Sequence, residues 1–322
     1  MKKTFIAALA GVYPAGTLER FQQLFSDNEN IAFMLADTIE KYEALTAADC
    51  MILRVFRAGR KDIERISGLK MICRWGVGFD SVDIAAAGER GIAVCNTPGA
   101  NAHAVSEHTV MLMLALGHNV MRHTYSLRDG IWSKSIYTQQ SITLKDKLVG
   151  LIGGGNISRQ VAEKVQSFGA KVQYSDINRL PEDMESRMNM RYADLNELLK
   201  TSDIVSLHIP LTDETRHMIG REQFEMMKPG AYLVNTARGG LINERDMLEF
   251  VQNGRLAGVG LDCTENEPIE KEHALFQYPN VIITPHVAGT SSDIGDTIIP
   301  MIESNIRKLY SGEPLDYVVN DF

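Results

Sequence analysis

Short apolar runs, each separated from the next by a helical pattern, occur in two series along this chain of 322 residues. The first comprises residues 5–10, 31–35, 51–54, 71–73 and 92–95, with amphipathic segments such as 18–25 between them. Parallel strands need a crossover of a dozen or more residues, usually a helix, so this alternation argues for βαβ units and parallel sheets. The series breaks at Thr97-Pro98-Gly99, a turn signal, after which Asn101 is placed to cap a long helix carrying Val105 and the apolar run 110–116. A second series begins at 148, with six strands predicted at 148–152, 171–175, 204–207, 231–234, 258–261 and 281–283. Residues 297–309 read as one closing helix, too little for a domain, so they are expected to pack back on the first. The predicted organisation is a discontinuous domain, 1–98 with 290–322, around a second domain, 99–289. Both are α/β with doubly wound parallel sheets.

Composition excludes several classes. The formal net charge is −8 with no local basic patch, which argues against a nucleic-acid partner. The longest wholly apolar run is 110–116, far short of the ~20 residues of a membrane span. Cys50, Cys73, Cys95 and Cys263 lack the paired spacings of a zinc site or redox dithiol and read as reduced core residues. Met1-Lys2-Lys3 before the apolar stretch 4–10 imitates a secretory signal, but about ten residues fall below the usual ~15–30. The stretch is therefore expected to be a first buried strand, and the protein cytoplasmic. His103, His108, His118 and His123 recur at helical spacings without a companion carboxylate cluster, so no metal site is expected.

The second series opens with a recognisable device. The strand 148–152 runs into Gly153-Gly154-Gly155-Asn156-Ile157-Ser158, and Ile157, Val161, Val165 and Phe168 continue at helical spacing. In a dinucleotide-binding turn Gly153 permits the tight bend and Gly155 the close approach of a pyrophosphate to the helix N-terminus, where free N–H groups favour anions. The third glycine is replaced by Ser158. Asp176, 23 residues after Gly153 at the end of the next strand, suits the adenosine ribose hydroxyls and points to NAD over NADP, with Arg179 nearby as the cation that would soften this preference.

Ligands of open parallel sheets bind beyond the carboxyl ends of the strands. Gly153, Asp176, His208, Arg238, Asp262 and His286 each fall at or just beyond one such end. Hydride transfer between a nicotinamide and a hydroxy acid needs a group that exchanges a proton with the hydroxyl oxygen, a task suited to His286. Glu267 is a candidate carboxylate for that imidazole, and Arg238 a fixed cationic fork for a substrate carboxylate.

Arg74-Trp75-Gly76-Val77-Gly78-Phe79-Asp80, Asn96-Thr97-Pro98, Ser106-Glu107-His108, the glycine turn, His208-Ile209-Pro210-Leu211-Thr212, Asn235-Thr236-Ala237-Arg238-Gly239-Gly240, Leu261-Asp262 with Glu267-Pro268, and Thr284-Pro285-His286 resemble the D-isomer-specific 2-hydroxyacid dehydrogenases over nearly the whole chain. The flanking motifs look most like the D-3-phosphoglycerate dehydrogenase branch. The resemblance implies a Rossmann NAD-binding domain, a flavodoxin-like substrate domain and a homodimer built on the long helix after Asn101. It implies Arg238, Glu267 and His286 as the catalytic triad, and Val77 and Gly78 as backbone donors to the substrate carboxylate. Gly153, Gly155, Asn156, Ile157, Asp176, His208, Thr212, Thr236 and Asp262 would face the coenzyme, with Thr236 and Asp262 at the nicotinamide end. Arg54 and Arg74 resemble positions that contact substrate or cofactor, Arg54 being the substrate-binding candidate; if both point into the cleft, a second anionic group on the substrate is expected, and if Arg74 pairs with the coenzyme pyrophosphate and Arg54 with a neighbouring acid, it is not. Glyoxylate or hydroxypyruvate reduction is the alternative, and an NADH-sensing corepressor-like binding protein a further one. Cys263-Thr264 departs from the apolar pair usual after the aspartate.

Overall fold

The computed structural model describes residues 4–132 and 134–322; Met1, Lys2 and Lys3, the basic start of the signal-like stretch, lie outside them. The chain divides into two compact units, Met1–Asn101 with Thr290–Phe322, and Ala102–Gly289.

The first unit holds five parallel strands, β1 (Phe5–Ala10), β2 (Ile31–Ala36), β3 (Cys50–Leu53), β4 (Met71–Arg74) and β5 (Ala93–Cys95), in the order β2-β1-β3-β4-β5. This is the flavodoxin-like order. Successive strand residues feed opposite faces, and both faces are covered. Ala8, Met51, Leu53 and Ile72 pack with Ile63 and Ile66 on one side. Leu9, Ile52 and Cys73 pack on the other with Phe21 and with Ile298, Ile299, Ile302 and Ile306 of the closing helix, Gly295–Ser311. Burial on two sides is why these strands read as unbroken apolar runs and not as alternating ones. The stretch that imitates a signal is β1, an inner strand of the sheet paired on both edges.

The second unit holds β6 (Leu148–Ile152), β7 (Lys171–Ser175), β8 (Met190–Tyr192), β9 (Ile204–Leu207), β10 (Ala231–Asn235), β11 (Leu256–Leu261) and β12 (Val281–Ile283), in the order β12-β11-β10-β9-β6-β7-β8. The sequence predicts six of these strands. The seventh, β8, is a three-residue edge strand with one buried side chain, Met190, too short to show a period. The helix Ala102–Gly117 packs on this sheet where β11 carries Gly258 and Gly260: a Cβ on either would stand 3.1–3.2 Å from Leu116 or Leu112. Asn101 precedes that helix but does not cap it through its side chain, since its Oδ1 has no hydrogen-bond partner. All four cysteines are buried and unpaired with one another. No helix among the described residues is long and apolar enough to cross a membrane.

Candidate active site

Every strand of the second sheet is parallel to its neighbours, so the carboxyl ends lie along one edge. In sheet order, that edge carries His286 after β12, Asp262 after β11, Arg238 after β10, His208 after β9, Gly153 after β6 and Asp176 after β7. The strand order reverses between β6 and β9, the switch point at which such sheets open a crevice.

The glycine turn occupies that point. Gly153 has φ +110°, and a Cβ there would sit 2.6 Å from the carbonyl oxygen of His208, so both conformation and space demand glycine. A Cβ on Gly155 would meet nothing within 4 Å. That open position begins the 12-residue helix Asn156–Ser167, whose first N–H groups receive no side-chain cap, so the turn fits a dinucleotide pyrophosphate. Ser158 explains its own departure from glycine: it is fully buried, and its hydroxyl donates to the Gly153 carbonyl at 2.5 Å, closing the turn from inside. The Asp176 carboxylate is fixed by two backbone donors, Gly154 N at 2.7 Å and Asn178 N at 2.8 Å. Asn156 accepts from Arg159, and Ile157 is half-buried against the helix-side core.

At the other end of the edge, His286 Nδ1 and Glu267 Oε2 are 2.8 Å apart, which leaves the imidazole Nε2 as the exchangeable position. The Glu267 hydrogen bond raises the His286 pKa above the usual imidazole value, with desolvation and Arg238 opposing and the Glu267 and Asp262 charges assisting. Desolvation pushes the Glu267 carboxyl up, yet its bond to protonated His286, the Thr264 N–H and Arg238 together bring it below the ordinary range. The Thr264 N–H donates to Glu267 Oε1 at 3.2 Å, so the residue after Cys263 steadies the carboxylate through its backbone. His286 adopts φ +54°, a strained conformation for a non-glycine residue, and Asp262 accounts for its persistence. The nearly inaccessible Asp262 carboxylate accepts from Val287 N (2.9 Å), Ala288 N (2.7 Å) and Thr284 Oγ1 (2.6 Å), while its carbonyl accepts from His286 N (2.7 Å). His108 completes this network through Nε2 at 2.9 Å from Thr284 Oγ1.

The remaining coenzyme-side candidates have partners inside the unit. Thr236 Oγ1 is 2.8 Å from Thr109 Oγ1 of the long helix. Thr212 forms a tight turn with Thr215, its N–H donating to Thr215 Oγ1 at 2.7 Å. His208 Nε2 lies 2.9 Å from Ser206 Oγ, and desolvation holds its pKa down at about 3, so the ring is neutral. Asn235, a buried residue that sequence reasoning did not single out, shapes the Arg238 turn: its Nδ2 donates to Arg238 O at 2.8 Å and its Oδ1 accepts from Ala237 N at 3.0 Å. Its place at the head of the 235–240 motif is the signal that could have found it.

In the first unit, Arg74 donates from Nε to Gly78 O and from Nη1 to Leu53 O, each at 3.0 Å. Asn96 Nδ2 donates to Val77 O at 2.8 Å, and Thr97 Oγ1 accepts from Gly76 N at 3.0 Å. The loop carrying Val77 and Gly78 is thus held by its carbonyls, and the N–H groups of those two residues make no hydrogen bond among the described residues. Arg54 donates to Val12 O and has no carboxylate within 4 Å among the described residues; desolvation lowers its pKa. Tyr13 stands beside both arginines, its hydroxyl donating to Ile52 O at 2.7 Å and its ring packed edge-on against Trp75.

Residues 110–288 match the family described as D-isomer specific 2-hydroxyacid dehydrogenase, NAD binding domain. Over 283 residues the chain is 38% identical to a D-3-phosphoglycerate dehydrogenase of Methanocaldococcus jannaschii, which covers 87% of this chain but 53% of that protein, so the chain spans about half of its length. It is 37% identical to a hydroxypyruvate reductase of Thermotoga maritima over 89% of this chain and 94% of that one. A D-lactate dehydrogenase from Aquifex aeolicus, solved with NAD and lactic acid, superposes with a TM-score of 0.82 at 28% identity, over 95% of this chain and 96% of that one. With the glycine turn, the strand-end residues and these likenesses in agreement, the chain belongs to the D-isomer-specific 2-hydroxyacid dehydrogenase family, and its second unit is an NAD-binding domain.

Proposed function

We propose that the protein interconverts a 2-keto acid and the D-2-hydroxy acid, with Arg238, Glu267 and His286 as the catalytic residues. The His286–Glu267 pair at 2.8 Å on the sheet edge that carries the glycine turn is the observation that supports this most. NAD(H), which the glycine turn and Asp176 would hold, would supply the hydride for C2. His286 Nε2 delivers the proton to the carbonyl oxygen, Glu267 holds the imidazole in its charged form beforehand, and the Arg238 guanidinium polarises the carbonyl and orients the carboxylate. The open N–H groups of Val77 and Gly78 are the candidate donors to that carboxylate. In the reverse direction neutral His286 takes the proton back.

For the substrate, Arg54 and Arg74 part company. Arg74 is occupied in shaping the 75–78 loop, whereas Arg54 is a half-buried cation beside Tyr13 that donates to the Val12 carbonyl and has no carboxylate partner among the described residues, so it is free to meet a ligand anion. The substrate is therefore a keto acid with a second polar or anionic group, hydroxypyruvate or its phosphate, ahead of glyoxylate. Steady-state reduction of 3-phosphohydroxypyruvate, hydroxypyruvate and glyoxylate tests this: kcat/KM falls in that order, and Arg54→Ala erases the difference. Glyoxylate preferred, with no effect of Arg54→Ala, would overturn the substrate reading.

We further propose a homodimer. The helix Val120–Arg128 buries none of its residues, and Val120, Tyr125, Leu127, Ile131, Trp132 and Ile136 are exposed in succession, Trp132 by 84%. Such an apolar surface suits a second copy of this chain.

A further inference from the structure

A chain that prefers NAD to NADP must disfavour the 2′-phosphate, and the inference drawn from the segment after β7 rests on that NAD-binding reading. Between residues 176 and 185 the chain carries four carboxylates, Asp176, Glu182, Asp183 and Glu185, and one cation, Arg179. Three residues beyond Asp176, Arg179 is the group of that segment with the charge and reach to meet a phosphate on the adenosine ribose. The structure gives it another occupation. Arg179 Nε and Nη2 each donate at 2.8 Å to the two oxygens of Glu185, a two-pronged pair, while its guanidinium lies over the Tyr192 ring at 5.2 Å. Glu185 is itself fixed: Tyr174, a fully buried strand residue of β7, donates its hydroxyl to Oε1 at 2.6 Å and accepts from Leu180 N at 2.8 Å. The Arg179 and Tyr174 bonds hold the Glu185 carboxyl down at about 2, fully ionised at neutral pH. The second nearby cation, Arg159, is turned to Asn156 and Met184.

We propose that Glu185 is a coenzyme-specificity residue, which withholds the Arg179 guanidinium from a 2′-phosphate by pairing it two-pronged against Tyr174 and Tyr192. Discrimination against NADP then has two parts. Asp176 repels the extra phosphate, and Glu185 neutralises the cation that would otherwise attract it. A pair with this geometry keeps its arginine through a rigid carboxylate, because Tyr174 and the backbone of Leu180 fix the acceptor before the arginine arrives.

The test measures coenzyme binding without substrate, as dissociation constants for NADPH and NADH by calorimetry. The proteins compared are the full chain, Glu185→Gln, Arg179→Ala and the double variant. Gln keeps an acceptor for the Tyr174 hydroxyl while removing the charge and one prong. In Glu185→Gln, NADPH binds roughly tenfold more tightly and NADH stays within about twofold; adding Arg179→Ala cancels the gain. An unchanged NADPH-to-NADH ratio, or a gain that survives loss of Arg179, overturns the proposal. Should Glu185→Gln not fold, Arg179→Ala alone decides. NADPH affinity within about twofold of the unaltered chain supports a withheld arginine, and a larger loss shows that Arg179 already meets the phosphate. Failure of the unaltered chain to bind NADH would instead count against the coenzyme assignment beneath it.

Discussion

At the scale of single residues, the proposed chemistry turns on which atom of His286 is left open. Glu267 takes Nδ1, and Asp262 and Thr284 fix the backbone on which the ring stands, so Nε2 alone is placed for proton exchange. His286→Asn should retain NADH binding and lose roughly two to four decades of kcat, the scale of general acid–base catalysis, as stopped-flow binding and steady-state turnover would report. Unchanged kcat would remove His286 from the mechanism. The raised pKa carries a sign: in the proposed mechanism keto-acid reduction needs protonated His286, so kcat/KM is full at low pH and falls as pH rises through that raised value, above the ordinary imidazole value. Hydroxy-acid oxidation rises over the same range. Glu267→Gln takes away the carboxylate that raises it, and the falling limb of the reduction profile should move to lower pH; a limb that stays in place assigns the titration to another group. His286 and Arg238 were legible in the sequence because each sits a few residues past a predicted strand, whereas Glu267, six residues past β11, was legible as a carboxylate suited to the imidazole and through its motif with Pro268. Their partners were less so. Asn235 and Thr284 are small polar residues whose function appears only when a turn folds back on them.

At the scale of elements, strand, turn and helix at 148–167 show two glycines required for different reasons. Gly153 is demanded by the fold itself, and Gly155 by whatever approaches from outside. Gly153→Ala should cost about 1–3 kcal/mol of stability, read as a lowered denaturant midpoint, since both φ and the His208 carbonyl oppose a Cβ. Gly155→Ala should leave that midpoint nearly unchanged while NADH binding weakens by about tenfold or more, because the added methyl projects into space kept for the pyrophosphate. Equal effects of the two variants on stability would contradict this division. The element boundaries illustrate what periodicity conveys: β6, β7, β9 and β12 begin and end where the apolar runs do. β8 escaped because three residues at a sheet edge, one of them buried, carry no pattern. Asn101 misled in the opposite way, its residue type suiting a cap that its side chain does not make.

At the scale of the whole molecule, the exposed apolar surface at 120–136 predicts an assembly of two chains, twice 35.8 kDa by sedimentation. Leu127→Glu with Trp132→Glu should yield monomers, because two buried carboxylates without partners would oppose association by several kcal/mol. An unaltered chain that sediments as a monomer at micromolar concentration would sink the dimer. Two parallel sheets, a closing helix returned to the first unit, a dinucleotide turn and a row of reactive side chains at strand ends were all determined by the sequence read alone. Each depends on local order: apolar runs bury, glycine bends, and the residues just past the ends of parallel strands emerge at one edge. Only the tertiary structure decided what the charged groups do there. Arg179 pairs with Glu185, Arg74 braces the loop after β4, and Asp262 spends both oxygens on the loop of His286. A long cation or a buried carboxylate takes the partner that three-dimensional packing brings within about 3 Å, and distance along the chain does not set that choice.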